Sequence, residues 1–141
     1  MTFLLDTCVL AELIKPSPDS GLRDWLDQGV PGSHYLSVLV IGEIRQGVAR
    51  IEGTRKAEEL AHWLDRVILP RFDRRVLPVT EAIAARWGEI RGRAMASGRT
   101  LPVIDSLIAA TALEHHLTLV TRNEADFNGL GLQLVNPWSE R

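Results

Sequence analysis

Five short apolar runs, separated by segments of helical period, constrain this chain more than any other feature. Phe3-Leu4-Leu5, His34-Tyr35-Leu36, Val76-Leu77-Pro78-Val79, Leu117-Thr118-Leu119-Val120-Thr121 and Leu132-Gln133-Leu134-Val135 each read as a strand. The first is apolar at every position, as expected of a strand covered on both faces. Helices fill the intervals. One follows Asp6 and is broken by Pro16-Ser17-Pro18. A second, capped by Asp19 or Ser20, carries Leu22, Trp25 and Leu26 and stops near Gly29. Ser37 caps a third that runs to about Arg50. Thr54 to Leu69 shows a 3.6-residue stripe of Ala57, Leu60, Ala61, Leu64, Val67 and Ile68, which Pro70 should end. Thr80 and Glu81 open another, with Ile83, Ala84, Trp87, Ile90 and Ala94 on one face and Gly98 at its end. The last runs from about Pro102 to His115.

Strands joined through helices imply right-handed crossovers and a parallel sheet. The expected class is α/β, a three-layer sandwich with a mostly five-stranded parallel sheet flanked by helices. A length of 141 residues suits one domain over residues 1–141.

Charge and cysteine content narrow the context. The formal net charge is −2, so the chain as a whole lacks the basic footprint of a protein that coats DNA. Arginine outnumbers lysine fourteen to two, a bias that GC-rich coding sequence produces without any phosphate ligand. The start Met1-Thr2-Phe3-Leu4-Leu5-Asp6 lacks a basic leader, and no apolar run approaches the ~20 residues of a membrane span. Cys8 is the single cysteine, which excludes an internal disulfide and a cysteine-based zinc site. A cytoplasmic protein without membrane contact is the expectation.

Eighteen acids are present, and four stand apart from the polar helix faces. Asp6 ends the first strand, where parallel sheets bind their ligands. Glu43 follows Leu39 and Val40 at helical spacing and shares their apolar side. Asp105 opens the nearly wholly apolar helix Leu101-Pro102-Val103-Ile104-Asp105-Ser106-Leu107-Ile108. Asp126 lies five residues past the fourth strand, in Thr121-Arg122-Asn123-Glu124-Ala125-Asp126-Phe127. Each has a bland explanation taken alone: Asp6 as a helix cap, Asp105 as a partner of a helix dipole, Asp126 as a turn residue. Glu43 is harder to explain so, because an unpaired glutamate facing a core costs several kcal/mol.

Clefted carboxylates need cations or a metal, and no Lys or Arg falls in the apolar stretches around Asp6 or Asp105. An all-carboxylate set selects a hard divalent cation, Mg²⁺ with Mn²⁺ able to substitute, and such sites act on phosphate esters. Three classes of function are compatible with these acids. A metal-dependent phosphoesterase uses all four. A receiver or phosphatase-like phosphoryl-transfer domain would phosphorylate Asp6, but neither Lys15 nor Lys56 ends a late strand, and Cys8 stands where a phosphatase needs a second Asp. A catalytically silent RNA- or protein-binding module has no need of a costly acid cluster.

Four segments together resemble the PIN domain, and within it the VapC-type toxins of bacterial toxin–antitoxin pairs, including the FitB-like branch. They are Leu5-Asp6-Thr7 before an apolar helix, Ser37 to Glu43 with Gly47, Leu101-Pro102-Val103-Ile104-Asp105, and the loop from Thr121 to Phe127. The ending Val135-Asn136-Pro137-Trp138 is similar as well. The resemblance implies a Mg²⁺-dependent endoribonuclease inhibited by a cognate VapB-like antitoxin, an RNA substrate, and a homodimer that assembles further with antitoxin. It places the metal-binding and catalytic acids on Asp6, Glu43, Asp105 and Asp126. Thr7 and Thr121 are the hydroxyls expected to orient a carboxylate or a water. Asn123 occupies a position where some relatives carry an acid, which leaves Asp126 as the fourth carboxylate.

Other features carry less. Cys8 near Asp6 has no histidine base beside it in sequence and reads as a small buried residue. His115 and His116 point about 100° apart on a helix and cannot chelate together. Trp25, Trp63, Trp87 and Trp138 read as core or interface. Arg91, Arg93 and Arg99 could form a phosphate-binding rim, and a solvated face explains them equally well.

Overall fold

The computed structural model describes residues 1–139. Its sheet has five strands, all paired in parallel, in the order β3-β2-β1-β4-β5. These are β1 (Phe3–Leu5), β2 (His34–Ser37), β3 (Val76–Leu77), β4 (Thr118–Val120) and β5 (Leu134–Val135). Leu4 lies opposite Tyr35 on one side and Leu119 on the other, so β1 is central. Leu4 and Leu5 are accordingly buried, as an all-apolar run requires of a two-faced strand.

The helices are α1 (Thr7–Leu13), α2 (Ser20–Asp27), α3 (Val38–Arg50), α4 (Arg55–Trp63), the single turn α5 (Leu69–Arg71), α6 (Glu81–Ala96) and α7 (Val103–Glu114). They sandwich the sheet, giving the three-layer α/β architecture expected from the pattern. Among the described residues no helix is long and apolar enough to cross a membrane.

Helix starts fall where short polar side chains can reach the first free N–H groups. Asp19 accepts from Leu22 N–H, Ser37 from Leu39, Thr54 from Ala57 and Thr80 from Ile83. Each cap contributes about 1 kcal/mol. Two prolines behave differently from expectation. Pro70 does not end the fourth helical stretch, because Leu64–Ile68 widens into a π-turn in which Leu69 N–H bonds the Leu64 carbonyl. The chain therefore continues helically through Pro70 into α5, and Phe72 N–H still reaches the Ile68 carbonyl at 3.0 Å. Pro78, which lacks a ladder donor, instead cuts the third strand short at Leu77. The fifth strand likewise keeps only Leu134 and Val135 of the four residues expected. Ala84, placed by periodicity on the buried face of α6, is exposed, whereas Ile83 and Ala94 are buried.

The tail closes onto α2. Trp138 is buried, and Asp19 accepts both the Ser139 N–H at 3.0 Å and the Ser139 hydroxyl at 2.5 Å while still capping the helix. A Cβ on Gly21 would sit 2.8 Å from the Pro137 carbonyl oxygen and 2.8 Å from Ser139 N, both main-chain atoms. Gly21→Ala should therefore destabilise by about 1–3 kcal/mol through overpacking, against a helix-propensity gain of about 1 kcal/mol. A thermal melt reads the balance, and a raised melting temperature would mean that the tail is not docked there.

The connections leave β1 and β4 toward opposite edges of the sheet, since β1 leads to β2 on one side and β4 leads to β5 on the other. That arrangement opens a crevice beyond the carboxyl ends of β1 and β4, the place where parallel sheets take ligands.

Candidate active site

Asp6 stands at that crevice, one residue beyond β1 and 4% exposed. Its Oδ1 accepts the Thr7 N–H at 2.8 Å, which makes it the cap of α1. Its Oδ2 accepts the hydroxyl of Thr121, one residue beyond β4, at 2.9 Å. The capping role and the site role thus use different oxygens of one carboxylate. Thr121 is fully buried, and its oxygen also accepts the Asn123 N–H at 3.0 Å. A hydrogen-bonded line therefore runs from the loop after β4 to the acid after β1. Asn123 enters it through its main chain, while its side chain is on an exposed residue.

Glu43 comes from α3 and is half-buried. The Thr7 hydroxyl donates to its Oε1 at 2.5 Å, so one threonine holds two acids, Asp6 through its amide and Glu43 through its hydroxyl. Asp105 lies in the first turn of α7. Asp126 lies on the exposed 3₁₀ turn Glu124–Phe127, whose Phe127 is buried beneath it.

The electrostatics join all four. Burial pushes the Asp105 carboxyl up to about 6, and the negative charges of Asp6, Glu43 and Asp126 push it in the same direction. Asp6 is raised as well, chiefly by burial and further by Glu43, although its bonds from Thr121 and Thr7 oppose the shift. Among the described residues, none of the four acids forms an ion pair with Lys or Arg; the ion pairs are Lys15–Glu12, Arg45–Asp65, Arg55–Glu59 and Arg86–Glu114. Nor do any three Asp, Glu, His or Cys side chains among them close on their own into a set of ion ligands. The four carboxylates share a field without touching.

Cys8 is the residue that sequence reading undervalued. It is half-buried, and its Sγ lies 3.7 Å from Asp6 Oδ2 and 3.6 Å from Thr121 Oγ1. Burial, with Asp6 adding, drives its thiol up to about 11, so it stays protonated and donates to the carboxylate instead of acting as a nucleophile. The signal was its place two residues after Asp6, on the first turn of α1. Of the tryptophans only Trp138 is buried among the described residues; Trp25, Trp63 and Trp87 are partly buried, Trp25 packing edge-on against Phe3 and Trp87 donating to Ser106 Oγ at 2.9 Å.

Beside the acids, α1, α3 and α4 leave a groove of about 790 Å³. Leu10, Ile14, Ile44, Leu60 and Trp63 line it, and Thr7 and Glu43 stand where it meets the site.

Comparison with known proteins agrees with this arrangement. The PIN domain family matches residues 3–131. Toxin FitB of Neisseria gonorrhoeae is 37% identical over 97% of this chain and 99% of its own length. VapC ribonuclease Y4jK of Sinorhizobium fredii is 32% identical over 96% of each chain. The crystal structure of FitAcB from Neisseria gonorrhoeae superposes with a TM-score of 0.89 at 37% identity, over 98% of this chain and 99% of that one. A parallel sheet with acids gathered at its switch point, matched along nearly its whole length by these relatives, places the chain in the PIN-domain family beside the FitB and VapC proteins.

Proposed function

We propose that this chain is a metal-dependent endoribonuclease, the toxin of a type II toxin–antitoxin pair, acting as one domain over residues 1–141 in the cytoplasm. One observation carries the reading. Asp6, Glu43, Asp105 and Asp126 share a single electrostatic field, and among the described residues no cationic side chain is paired to them. Such a cluster is costly unless a cation joins it.

The donor set fits Mg²⁺ or Mn²⁺, being all carboxylate with hydroxyls behind it. Asp6, Glu43 and Asp105 would hold the ion, and Asp126 would assist or orient a water. Mg²⁺ keeps several of its waters when bound, so carboxylates that do not close on one another remain suitable ligands. When bound, the cation supplies an activated water and charge against a phosphoryl oxygen of RNA. The chain's own residues prepare the site. Thr7 and Thr121 fix the two oxygens of Asp6, the Thr7 hydroxyl fixes Glu43, and Cys8 adds a weak donor to Asp6.

The groove of α1, α3 and α4 suits the apolar face of an antitoxin helix. A basic side chain at the end of that helix, arginine for bidentate geometry, would reach the acids and replace metal charge with guanidinium charge. A homodimer, assembling further with antitoxin, is the form in which the pair would exist.

A cleavage assay tests the reading. Purified protein should cut RNA with Mg²⁺ or Mn²⁺, stop in chelator, resume on adding metal back, and stop again when a cognate antitoxin is added. Cleavage that chelator leaves untouched would overturn the metal mechanism, and binding of RNA without cleavage would indicate a silent module.

A further inference from the structure

Arg99 lies in the connection between α6 and α7, six residues before Asp105. Gly98 turns the chain sharply there with φ +84°, and the Arg99 N–H bonds the Ala94 carbonyl at 2.8 Å. From this fixed base the guanidinium crosses to the turn that bears Asp126. Nη1 donates to the Asn128 carbonyl at 2.5 Å and Nη2 to the Asp126 carbonyl at 3.2 Å. The closing carbonyls of a helical turn lack partners within it, and a forked donor can take two at once.

The other end of the same connection is held in a related way. Arg91 Nε donates to the Leu101 carbonyl at 3.2 Å, just ahead of α7. Its guanidinium also lies 5.8 Å from the centre of the Trp87 ring, and Trp87 in turn bonds Ser106, the neighbour of Asp105. Phe127 anchors the Asp126 turn from beneath, and at the start of the turn Asn136 Nδ2 donates to Glu124 Oε2 at 3.2 Å. Arg99 ties down its closing carbonyls, those of Asp126 and Asn128.

We infer that Arg99 is a positioning residue that sets Asp126 against Asp105 by tying the 3₁₀ turn to the segment leading into α7. The inference rests on the nuclease reading for its consequence in catalysis and on the two carbonyl bonds for its geometry. Lysine cannot replace it fully, since one ammonium on a flexible stem does not span two carbonyls as a planar fork does.

A double-mutant cycle tests it with two readouts, Mn²⁺ binding by titration calorimetry without RNA and steady-state RNA cleavage. The proteins are wild type, Arg99→Ala, Arg99→Lys, Asp126→Asn and Arg99→Ala with Asp126→Asn. Arg99→Ala should weaken Mn²⁺ binding and lower kcat about tenfold each, as loss of outer-shell support does, with KM for RNA near wild type. Arg99→Lys should fall between, and it carries the test if Arg99→Ala does not fold. In the Asp126→Asn background, Arg99→Ala should add less than about twofold, because it acts through the residue already altered. Effects that multiply in full would overturn the inference. So would a raised KM with a shallower salt dependence, the mark of a direct phosphate contact. A wild type that cuts no RNA but keeps a non-additive Mn²⁺ cycle would remove the nuclease reading and leave Arg99 where it is placed. An additive Mn²⁺ cycle in an active nuclease would do the reverse.

Discussion

Asp6→Asn and Asp105→Asn should each abolish RNA cleavage while leaving the fold intact. Losing a group that merely orients a metal ligand costs about 10–100-fold, so losing the charge of a ligand should exceed about a hundredfold. Asn keeps the shape of Asp6 and can still cap α1 through its remaining oxygen, so the Thr7 N–H bond survives, while the amide NH2 that replaces Oδ2 no longer accepts from the Thr121 hydroxyl and Cys8. Glu43→Gln should fall in the same range, since the Thr7 hydroxyl still finds an amide oxygen. Asp126→Asn, on an exposed turn, should cost about tenfold if it acts through water. Cleavage rates at saturating Mg²⁺, with melting temperatures and antitoxin binding as controls for folding, give the answer. Near wild-type cleavage by Asp105→Asn would sink the mechanism.

The features legible in the sequence were those decided within a few residues. A cap acts on an N–H two or three positions away, so Asp19, Ser37, Thr54 and Thr80 could be read directly, and each is seen capping. Asp6 could be placed because a topological rule, not a local one, assigns ligands to the ends of parallel strands. That the same rule brings Thr121 to Asp6 follows once β1 and β4 are neighbours. Pro70 escaped because the π-turn before it moves the hydrogen-bond register, and no local pattern announces such a shift. The groove escaped for a different reason. Leu60 belongs to a visible apolar stripe, but only the packing of three helices decides that it stays partly exposed while Leu10, which also lines the groove, is buried. Arg99 is the clearest case. In sequence it stands with Arg91 and Arg93 as a possible phosphate rim or a solvated face, and its partners are two carbonyls about thirty residues away.

The second large effect concerns stability and metal together. The folded Asp105 carboxyl sits at about 6, above an unfolded value near 4. A carboxyl raised on folding costs stability at pH values above its folded pKa, where both states are ionised and the folded one bears the strain. The cost is relieved as pH falls through about 6, because the folded state then binds the proton more readily than the unfolded one. Asp6 is shifted in the same direction and adds to the trend. In chelator at pH 7.5, Asp105→Asn should therefore be more stable than wild type by about 1 kcal/mol, once solvent screening of a half-buried group is allowed for. That corresponds to roughly 3 °C in melting temperature, and the gap should close toward pH 5. Metal reverses the order. An ion that binds only the native state adds about 2.7 kcal/mol at a hundred times its Kd, and the variant, having lost a ligand charge, should forfeit most of that gain. The expected result is a crossing, with the variant above wild type in chelator and below it in millimolar Mn²⁺. Melts that coincide under both conditions would mean that Asp105 shares no acidic site with Asp6, Glu43 and Asp126.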